Sequence, residues 1–208
     1  MNVETAYNKW SAIYDSMANK TRDLEAHAIR SVLKEIRVEQ TLEWGCGTGK
    51  NTGFLQAISQ QITAIDFSEQ MLEKAKTKFA TSNIQFLQGD ITQSWPVVDE
   101  SIDLISSSLI LEHVEDLNVV FQNAFKALKS GGYYYIGELH PFKQYSGTKA
   151  RFESEEGLQI VTCFDHHVSD FLDAAYSNGF RCEQLNEWFD ENNRNSIPRI
   201  ISFLLVRL

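Results

Sequence analysis

The stretch from Thr41 to Leu55 constrains the fold of this 208-residue chain more than any other. A short β-prone run ends in an acidic and an aromatic residue, glycines follow at alternate positions, and apolar residues then resume at helical spacing. This order predicts a strand, a tight turn and a helix. Glycines allow a ligand to approach the main-chain amides, and a helix N-terminus favours a carboxylate or phosphate. We therefore expect a ligand-binding turn whose amides face the ligand.

The glycine spacing separates several types of binding turn. A dinucleotide-binding turn has Gly-x-Gly-x-x-Gly, and Lys50 stands where its third glycine is expected, which weakens an interpretation as an NAD site. A phosphate-binding P-loop has Ser or Thr after Gly-Lys, and Asn51 stands there instead. A glycine-rich turn that binds no ligand remains as the structural alternative.

The remaining pattern, Glu-x-Gly-x-Gly-x-Gly, resembles the first motif of the class I S-adenosylmethionine-dependent methyltransferases. The segment LEWGCGTG is close to the form seen in their small-molecule branch, which includes biotin- and quinone-pathway enzymes, although Trp44 replaces the usual aliphatic residue. The resemblance implies S-adenosylmethionine as cofactor and S-adenosylhomocysteine as product. It assigns the methionine end of the cofactor to Glu43, Gly45, Cys46, Gly47 and Gly49.

The resemblance covers nearly the whole chain and implies a fold. We expect a Rossmann-like α/β domain with a seven-stranded, mostly parallel sheet, an antiparallel C-terminal hairpin, and helices on both faces. Residues 1–208 are predicted to form one domain, with an N-terminal helical lid at 1–40 and a substrate-cap insertion at 140–167. Helical periodicity supports two helices in the lid, with Thr21 or Asp23 as the cap of the second.

Two more strands are followed by an aspartate. Asp66 lies about twenty residues after the glycine turn, where an adenosine-binding fold places the carboxylate that binds ribose. Helix capping is the alternative, but Ser68 can cap that helix. Asp90 and Ile91 resemble the third motif of the family, which binds adenine, while a simple Gly-Asp turn is the alternative. The remaining predicted cofactor contacts are Phe67, Met71 and Ser106.

The candidate catalytic residue is His113, which follows the strand containing Ser106. It could act as a general base near neutral pH, or it could simply bond a backbone group at the start of a helix. At this strand end, the enzymes that methylate exocyclic amines carry a Pro-Pro-Tyr or Pro-Pro-Phe motif, and this chain has Ser106-Ser107-Ser108. It also lacks the Pro-Cys pair of the cytosine enzymes. Nucleobases are therefore poor candidates as acceptors.

An aromatic stripe marks the N-terminal segment. Tyr7, Trp10 and Tyr14 recur at three- and four-residue intervals and so share one helix face. Packing against the sheet explains such a stripe, and so does the aromatic lid of the small-molecule methyltransferases. His140, at the start of the insertion, is a further candidate for contact with the acceptor. A metal site built from His140, His166 and His167 is not predicted, because nothing in the sequence brings them together.

The formal net charge is -9, and the sequence has no run of Lys or Arg, which argues against a nucleic acid partner. Three dispersed cysteines predict neither a disulfide framework nor a zinc site, and no stretch is long enough to span a bilayer. We expect a cytoplasmic monomer or homodimer that methylates a small-molecule acceptor. A non-catalytic S-adenosylmethionine-binding protein is the alternative, and an NAD-dependent oxidoreductase is disfavoured by the missing glycine.

Overall fold

A computed structural model describes residues 2–80, 83–154 and 157–208. The strands are β1 (Val38–Trp44), β2 (Ser59–Asp66), β3 (Ile84–Gln88), β4 (Ile102–Ser108), β5 (Leu128–Leu139), β6 (Arg151–Ser154), β7 (Gly157–Ile160), β8 (Phe180–Trp188) and β9 (Ile200–Arg207). The α-helices are α1 (Val3–Tyr14), α2 (Lys20–Leu33), α3 (Thr52–Ile58), α4 (Glu69–Lys78), α5 (Leu117–Ala127), α6 (Pro141–Tyr145) and α7 (Val168–Ser177). Short 3₁₀ turns occupy Leu111–His113 and Asp190–Asn192.

Seven strands form one sheet in the order β3-β2-β1-β4-β5-β9-β8. The pairings among β1 to β5 are parallel, whereas β9 pairs antiparallel with both β5 and β8. The predicted fold class is therefore confirmed, including the antiparallel C-terminal pair. Strands β6 and β7 form a separate antiparallel hairpin.

Both faces of the sheet are covered, which explains the continuous apolar runs of its central strands. Successive side chains of a strand point to opposite faces, and Leu104 and Ile105 of β4 are both fully buried. Ile105 packs in a cluster that includes Phe121 of α5 and Phe171 of α7, while Leu104 packs in a cluster with Ile29 of α2. The helices thus form a layer on each side of the sheet.

The structure corrects one local prediction. Helix α2 is capped by Asn19, whose side chain accepts bonds from the amides of Thr21 and Arg22, and not by Thr21 or Asp23. Strand β5 starts at Leu128, directly after α5, so residues 129–132 are part of the strand. A register shift beside β4 and a positive φ of 77° at Gly131 accommodate this irregular start.

The predicted insertion at 140–167 contains α6 and the β6–β7 hairpin, and two of its residues, Glu155 and Glu156, lie outside the described residues. Its first helix begins at Pro141, and His140 caps that helix. Within the ranges that the structure describes, none of the helices combines the length and apolarity needed to cross a bilayer.

Candidate functional site

A cavity of about 540 Å³ lies at the carboxyl ends of the parallel strands. Its size is typical of small-molecule sites, and this edge of an open α/β sheet is where such folds bind ligands. Most of the predicted site residues line it. They are Tyr7, Trp10, Tyr14, Glu43, Gly45, Cys46, Gly47, Asp66, Phe67, Met71, Asp90, Ile91 and His113.

The glycine turn has the backbone geometry that its sequence predicts. Gly45, Gly47 and Gly49 have φ angles of 69°, 55° and 88°, a left-handed region that side chains disfavour. A Cβ on Gly45 would lie 2.2 Å from Ile110, and one on Gly49 would lie 2.6 Å from Phe79. A Cβ on Gly47 would meet no heavy atom within 4 Å. Gly47 is therefore the glycine at which a side chain would enter open space at the cavity.

The predicted exposure of the turn's amides to a ligand is wrong for four of them. The amides of Gly45 and Cys46 donate to the Ile65 carbonyl at 2.8 and 3.1 Å. The Gly47 amide donates to Asp66, and the Gly49 amide donates to the Cys46 carbonyl at 2.9 Å. These bonds fix the turn against β2. The glycines thus serve to leave space beside the turn and to allow its conformation.

Asp66 joins the glycine turn to helix α4. One carboxylate oxygen accepts the Gly47 amide at 2.7 Å, and the other accepts the Ser68 amide at 2.8 Å. Ser68 caps α4 through its hydroxyl, as predicted, and the Asp66 carboxylate, which lines the cavity, keeps acceptor capacity for a ligand. Burial raises the pKa of Asp66 to about 6, against the opposing effect of these amide bonds.

Asp90 follows β3 and stabilises a local turn. One of its side-chain oxygens accepts hydrogen bonds from both the amide and the hydroxyl of Thr92, at 2.9 and 2.7 Å. The preceding Gly89 makes room for the core, since a Cβ there would lie 2.9 Å from Ile65 and 3.4 Å from Trp44. The Trp44 ring is 98% buried and packs beside Trp95 at the cavity wall, so it supports the cavity and does not fill it.

Glu43 is buried at the base of the cavity and accepts the Thr52 hydroxyl at 2.6 Å. Burial raises its pKa to about 8. Glu25, Asp66, Asp90 and Glu112 also line this cavity. Basic side chains line it as well, namely Arg22, Lys50, Lys149 and Arg151, so the cavity offers groups of both signs to a ligand.

The rings of Tyr7, Trp10 and Tyr14 form the wall that α1 contributes. Tyr7 and Trp10 have centroids 5.6 Å apart, and Trp10 and Tyr14 have centroids 5.2 Å apart. Trp10 packs against Val161, which follows the β6–β7 hairpin. The aromatic stripe therefore both contacts the insertion and lines the cavity.

His113 connects α1 to the insertion. Its Nδ1 lies 2.7 Å from the Thr162 carbonyl, which can only accept, so Nδ1 carries the proton. Its Nε2 then accepts the Tyr7 hydroxyl at 2.9 Å. Burial raises the Tyr7 pKa well above its usual value, so this hydroxyl remains a donor. Glu112 and Cys163 have potential metal-ligating atoms within 4.8 Å of His113, but Nδ1 is held by the carbonyl bond.

Three predicted site residues do not line the cavity. Gly49 packs its backbone against Phe79, and Ser106 is buried inside β4. His140 caps α6 and places Nε2 3.1 Å from Glu187. His166 bonds the Val114 carbonyl, and His167 bonds Tyr145, so each of the three histidines has its own partner.

The cavity-lining residues that were not predicted from the sequence include three buried polar ones. Arg22 and Glu25 of α2, and Asn51 before α3, all line the cavity and are all more than 90% buried. A signal was present, because Arg22 and Glu25 continue toward the N-terminus the buried stripe that Ile29 and Leu33 form. Charged residues on the buried face of a helix require partners or a ligand.

Comparison with known proteins covers the glycine turn and the strands beside it. Residues 42–136 match the family model described as a methyltransferase domain. The chain is 34% identical over 137 residues to malonyl-[acyl-carrier protein] O-methyltransferase from Bacillus cereus. That match covers 62% of this chain and 49% of the relative, so the chain spans about half the length of this curated relative.

Solved structures extend the similarity to most of the fold. An S-adenosylmethionine-dependent methyltransferase from Mesorhizobium loti superposes with a TM-score of 0.74 and 22% identity, covering 87% of this chain and 96% of that one. A structure described as a DhpI-SAM-HEP complex superposes with a TM-score of 0.76 and 20% identity, covering 97% and 94%. At these identities the similarity establishes the fold.

Proposed function

We propose that this chain, which carries a methyltransferase domain of the class I S-adenosylmethionine-dependent family, transfers a methyl group from S-adenosylmethionine to a small-molecule acceptor. The observation that carries the proposal is the convergence of Asp66, Asp90 and the open side of Gly47 on one cavity. When bound, the cofactor supplies a methyl group that its sulfonium charge has already activated. The protein's task is to orient the two reactants and exclude water.

The residues present fit this cofactor. Asp66 lines the cavity with its carboxylate held by backbone amides, and its remaining acceptor capacity suits the ribose hydroxyls. Asp90 has one oxygen outside its turn bonds for the adenine amino group, and Ile91 provides an apolar wall. Phe67 lines the cavity and keeps 38% of its surface exposed, so it has apolar area to cover a ligand. Glu43, which precedes the glycine turn by two residues, lines the cavity at the end that we assign to the methionine portion.

We propose that α1 is the lid of this site. Its aromatic wall lies over the cavity and is held by the Tyr7–His113 bond. The insertion at 140–167 is the cap on the acceptor side, and its residues 148–151 line the cavity. Closed contact between these segments excludes water from the reacting atoms.

The cap side favours an acceptor with a carboxylate. Lys149 and Arg151 line the cavity on this side and supply positive charge there, in addition to Arg22 and Lys50, and Lys149 is also paired with Asp165. The Bacillus cereus relative is named for O-methylation of a malonyl group, which agrees with this assignment. A carboxylate is already ionised at neutral pH and needs no base. A hydroxyl acceptor would need one, and His113 would then take its proton through Tyr7.

A single cytoplasmic domain, active as a monomer or homodimer, completes the proposal. Its three cysteines are free thiols, which agrees with a reducing compartment.

Calorimetry with S-adenosylhomocysteine and NAD tests the cofactor, and transfer of tritium from labelled S-adenosylmethionine to a metabolite extract tests catalysis. We expect binding of the nucleoside thioether, no binding of NAD, and labelled product. Binding without transfer to any extract would indicate a binding protein and overturn the enzyme assignment. In a panel of purified acceptors, labelling of a carboxylic acid supports the carboxylate assignment, whereas labelling of hydroxyl or amine acceptors alone contradicts it.

A further inference from the structure

A buried glutamate outside the cavity bonds the loop that carries His113. Glu138 is the penultimate residue of β5, is 2% exposed, and is not among the residues that line the cavity. Burying a carboxyl group is costly unless hydrogen bonds compensate for the lost hydration. The partners of Glu138 therefore indicate its role.

One oxygen of Glu138 accepts two consecutive backbone amides. Ile110 donates to Oε1 at 3.0 Å, and Leu111 donates to the same atom at 2.9 Å. Two successive amides that converge on one point form a small positive concavity, which suits a carboxyl oxygen. Oε2 is also buried and has no partner among the described residues, so Glu138 directs its hydrogen bonds to these two amides.

The two amides belong to residues 109–113, which we call the β4 loop because this segment follows β4. At its start Leu109 has a φ of 58°, a left-handed conformation that a leucine side chain disfavours. The Leu109 amide donates to the Gly137 carbonyl at 2.8 Å. A backbone of this kind persists only where neighbouring groups fix it, and adjacent residues of β5, Gly137 and Glu138, do so here.

The β4 loop determines where His113 lies. The His113 amide donates to the Ile110 carbonyl at 3.0 Å, within a short 3₁₀ turn. The ring of His113 bonds the Thr162 carbonyl in the insertion and the Tyr7 hydroxyl on α1. Four residues of the loop line the cavity, namely Leu109, Ile110, Glu112 and His113. A displaced loop would therefore change the cavity wall between α1 and the insertion.

We propose that Glu138 is a positioning residue for methyl transfer, because it holds the β4 loop and thereby places His113 and Tyr7 at the acceptor end of the cavity. This inference rests on the proposed function. Glu138 does not touch the cavity, so it acts through the two amides. Asp66 and Asp90, the predicted nucleoside contacts, follow other strands and bond other residues. Removing the Glu138 oxygens should therefore slow transfer and spare cofactor binding.

Three variants separate this role from a general loss of structure. Glu138→Met keeps the length of the side chain and removes both oxygens, whereas Glu138→Gln keeps an oxygen that can accept both amides. Asp103→Leu is the matched control, because Asp103 Oδ2 also accepts two consecutive amides, those of Glu39 and Gln40 at 3.2 and 2.9 Å. Asp103 lies near the start of β4, at the end of the strand opposite the cavity.

The first readout is tritium transfer from saturating labelled S-adenosylmethionine to a metabolite extract. Glu138→Met should be slower by about tenfold or more, since a misplacement of about 1 Å can cost about a hundredfold in rate. Its affinity for S-adenosylhomocysteine in calorimetry should stay within about threefold. Glu138→Gln should recover most of the rate, and Asp103→Leu should keep it.

The second readout is nuclear magnetic resonance of the imidazole nitrogens, which needs no acceptor. The bond to the Thr162 carbonyl requires a proton on His113 Nδ1, so the unaltered protein should show this tautomer alone. Glu138→Gln and Asp103→Leu should keep that tautomer, whereas Glu138→Met should give a mixture of both. His113→Asn identifies the signals among those of the five histidines.

Unchanged His113 signals in Glu138→Met, or transfer as fast as that of the unaltered protein, would overturn the inference while the proposed function stood. Equal losses of transfer rate and of S-adenosylhomocysteine affinity would also overturn it, because the loop would then be needed for cofactor binding itself. If the unaltered protein did not bind S-adenosylhomocysteine, the proposed function would fail, and the His113 signals would still show whether Glu138 fixes the β4 loop.

Discussion

Replacing Gly47 by alanine separates the cost of backbone strain from the cost of losing ligand space. Gly47 has a φ of 55°, where an L residue costs roughly 1–2 kcal/mol, and its Cβ would meet no protein atom within 4 Å. The free protein can therefore fold around the new methyl group with only the strain. For a domain of this size, such a loss lowers Tm by about 2–4 °C per kcal/mol.

The chain contains a matched control for this strain. Gly131 has a φ of 77°, its Cβ would also meet nothing within 4 Å, and it lies in β5 away from the cavity. Gly131→Ala should therefore lower Tm by about as much as Gly47→Ala. A methyl group placed against a bound ligand costs about 1–3 kcal/mol, by analogy with an overpacked core, which is roughly a 5- to 150-fold loss of affinity.

Thermal unfolding and calorimetry with S-adenosylhomocysteine measure the two effects. We expect both variants to lose similar stability and only Gly47→Ala to lose affinity. Unchanged affinity in Gly47→Ala would show that the ligand does not lie beside this turn, and the reasoning about the glycine would fail. Equal loss of affinity in Gly131→Ala would show that strain alone weakens binding.

Three further predictions concern pH, capping and the lid. Because burial raises the Asp66 pKa to about 6, the ionised form that accepts ribose is lost below that pH, and affinity for S-adenosylhomocysteine should fall about tenfold from pH 7.5 to 5. Calorimetry on Asp66→Asn should show a flatter dependence of affinity on pH. The same pH dependence in the variant as in the unaltered protein would contradict the assignment. Ser68→Ala removes the cap of α4 and should cost about 1 kcal/mol in denaturant unfolding, whereas no loss would contradict the cap. Ligand should slow amide exchange in α1, and Tyr7→Phe should reduce that protection; equal exchange with and without ligand would argue against a lid.

The site residues that were predicted from the sequence and line the cavity owe their positions to the local succession of strands and turns. Gly45, Gly47 and Asp66 adjoin strand ends, and the carboxyl ends of parallel strands meet at one edge of a sheet. A pattern of strands and turns therefore places these residues without any knowledge of long-range packing. The capping role of Ser68 was equally accessible, because it involves only the next three residues.

The parts that sequence reasoning missed depend on contacts between distant segments. Glu25 reaches the cavity through a bond to Ser108, 83 positions away, and the packing of α2 that allows this bond is not encoded in any short motif. His140 does not line the cavity, for a related reason. It follows a strand at the correct edge of the sheet, but it turns toward Glu187 and caps α6. Position at a strand end does not fix the direction of a side chain.

The contacts of α1 show why this helix is suited to open and close. Asn8 accepts the Ser68 hydroxyl at 2.6 Å, Asp15 accepts the Thr48 hydroxyl at 2.6 Å, and Tyr7 donates to His113. These bonds join α1 to three separate loops around the cavity. Water can replace each of them when the helix lifts away, so the net cost of each is only about 1 kcal/mol. A ligand that contacts the α1 rings adds apolar burial to the closed form alone, and binding and closure are thereby coupled.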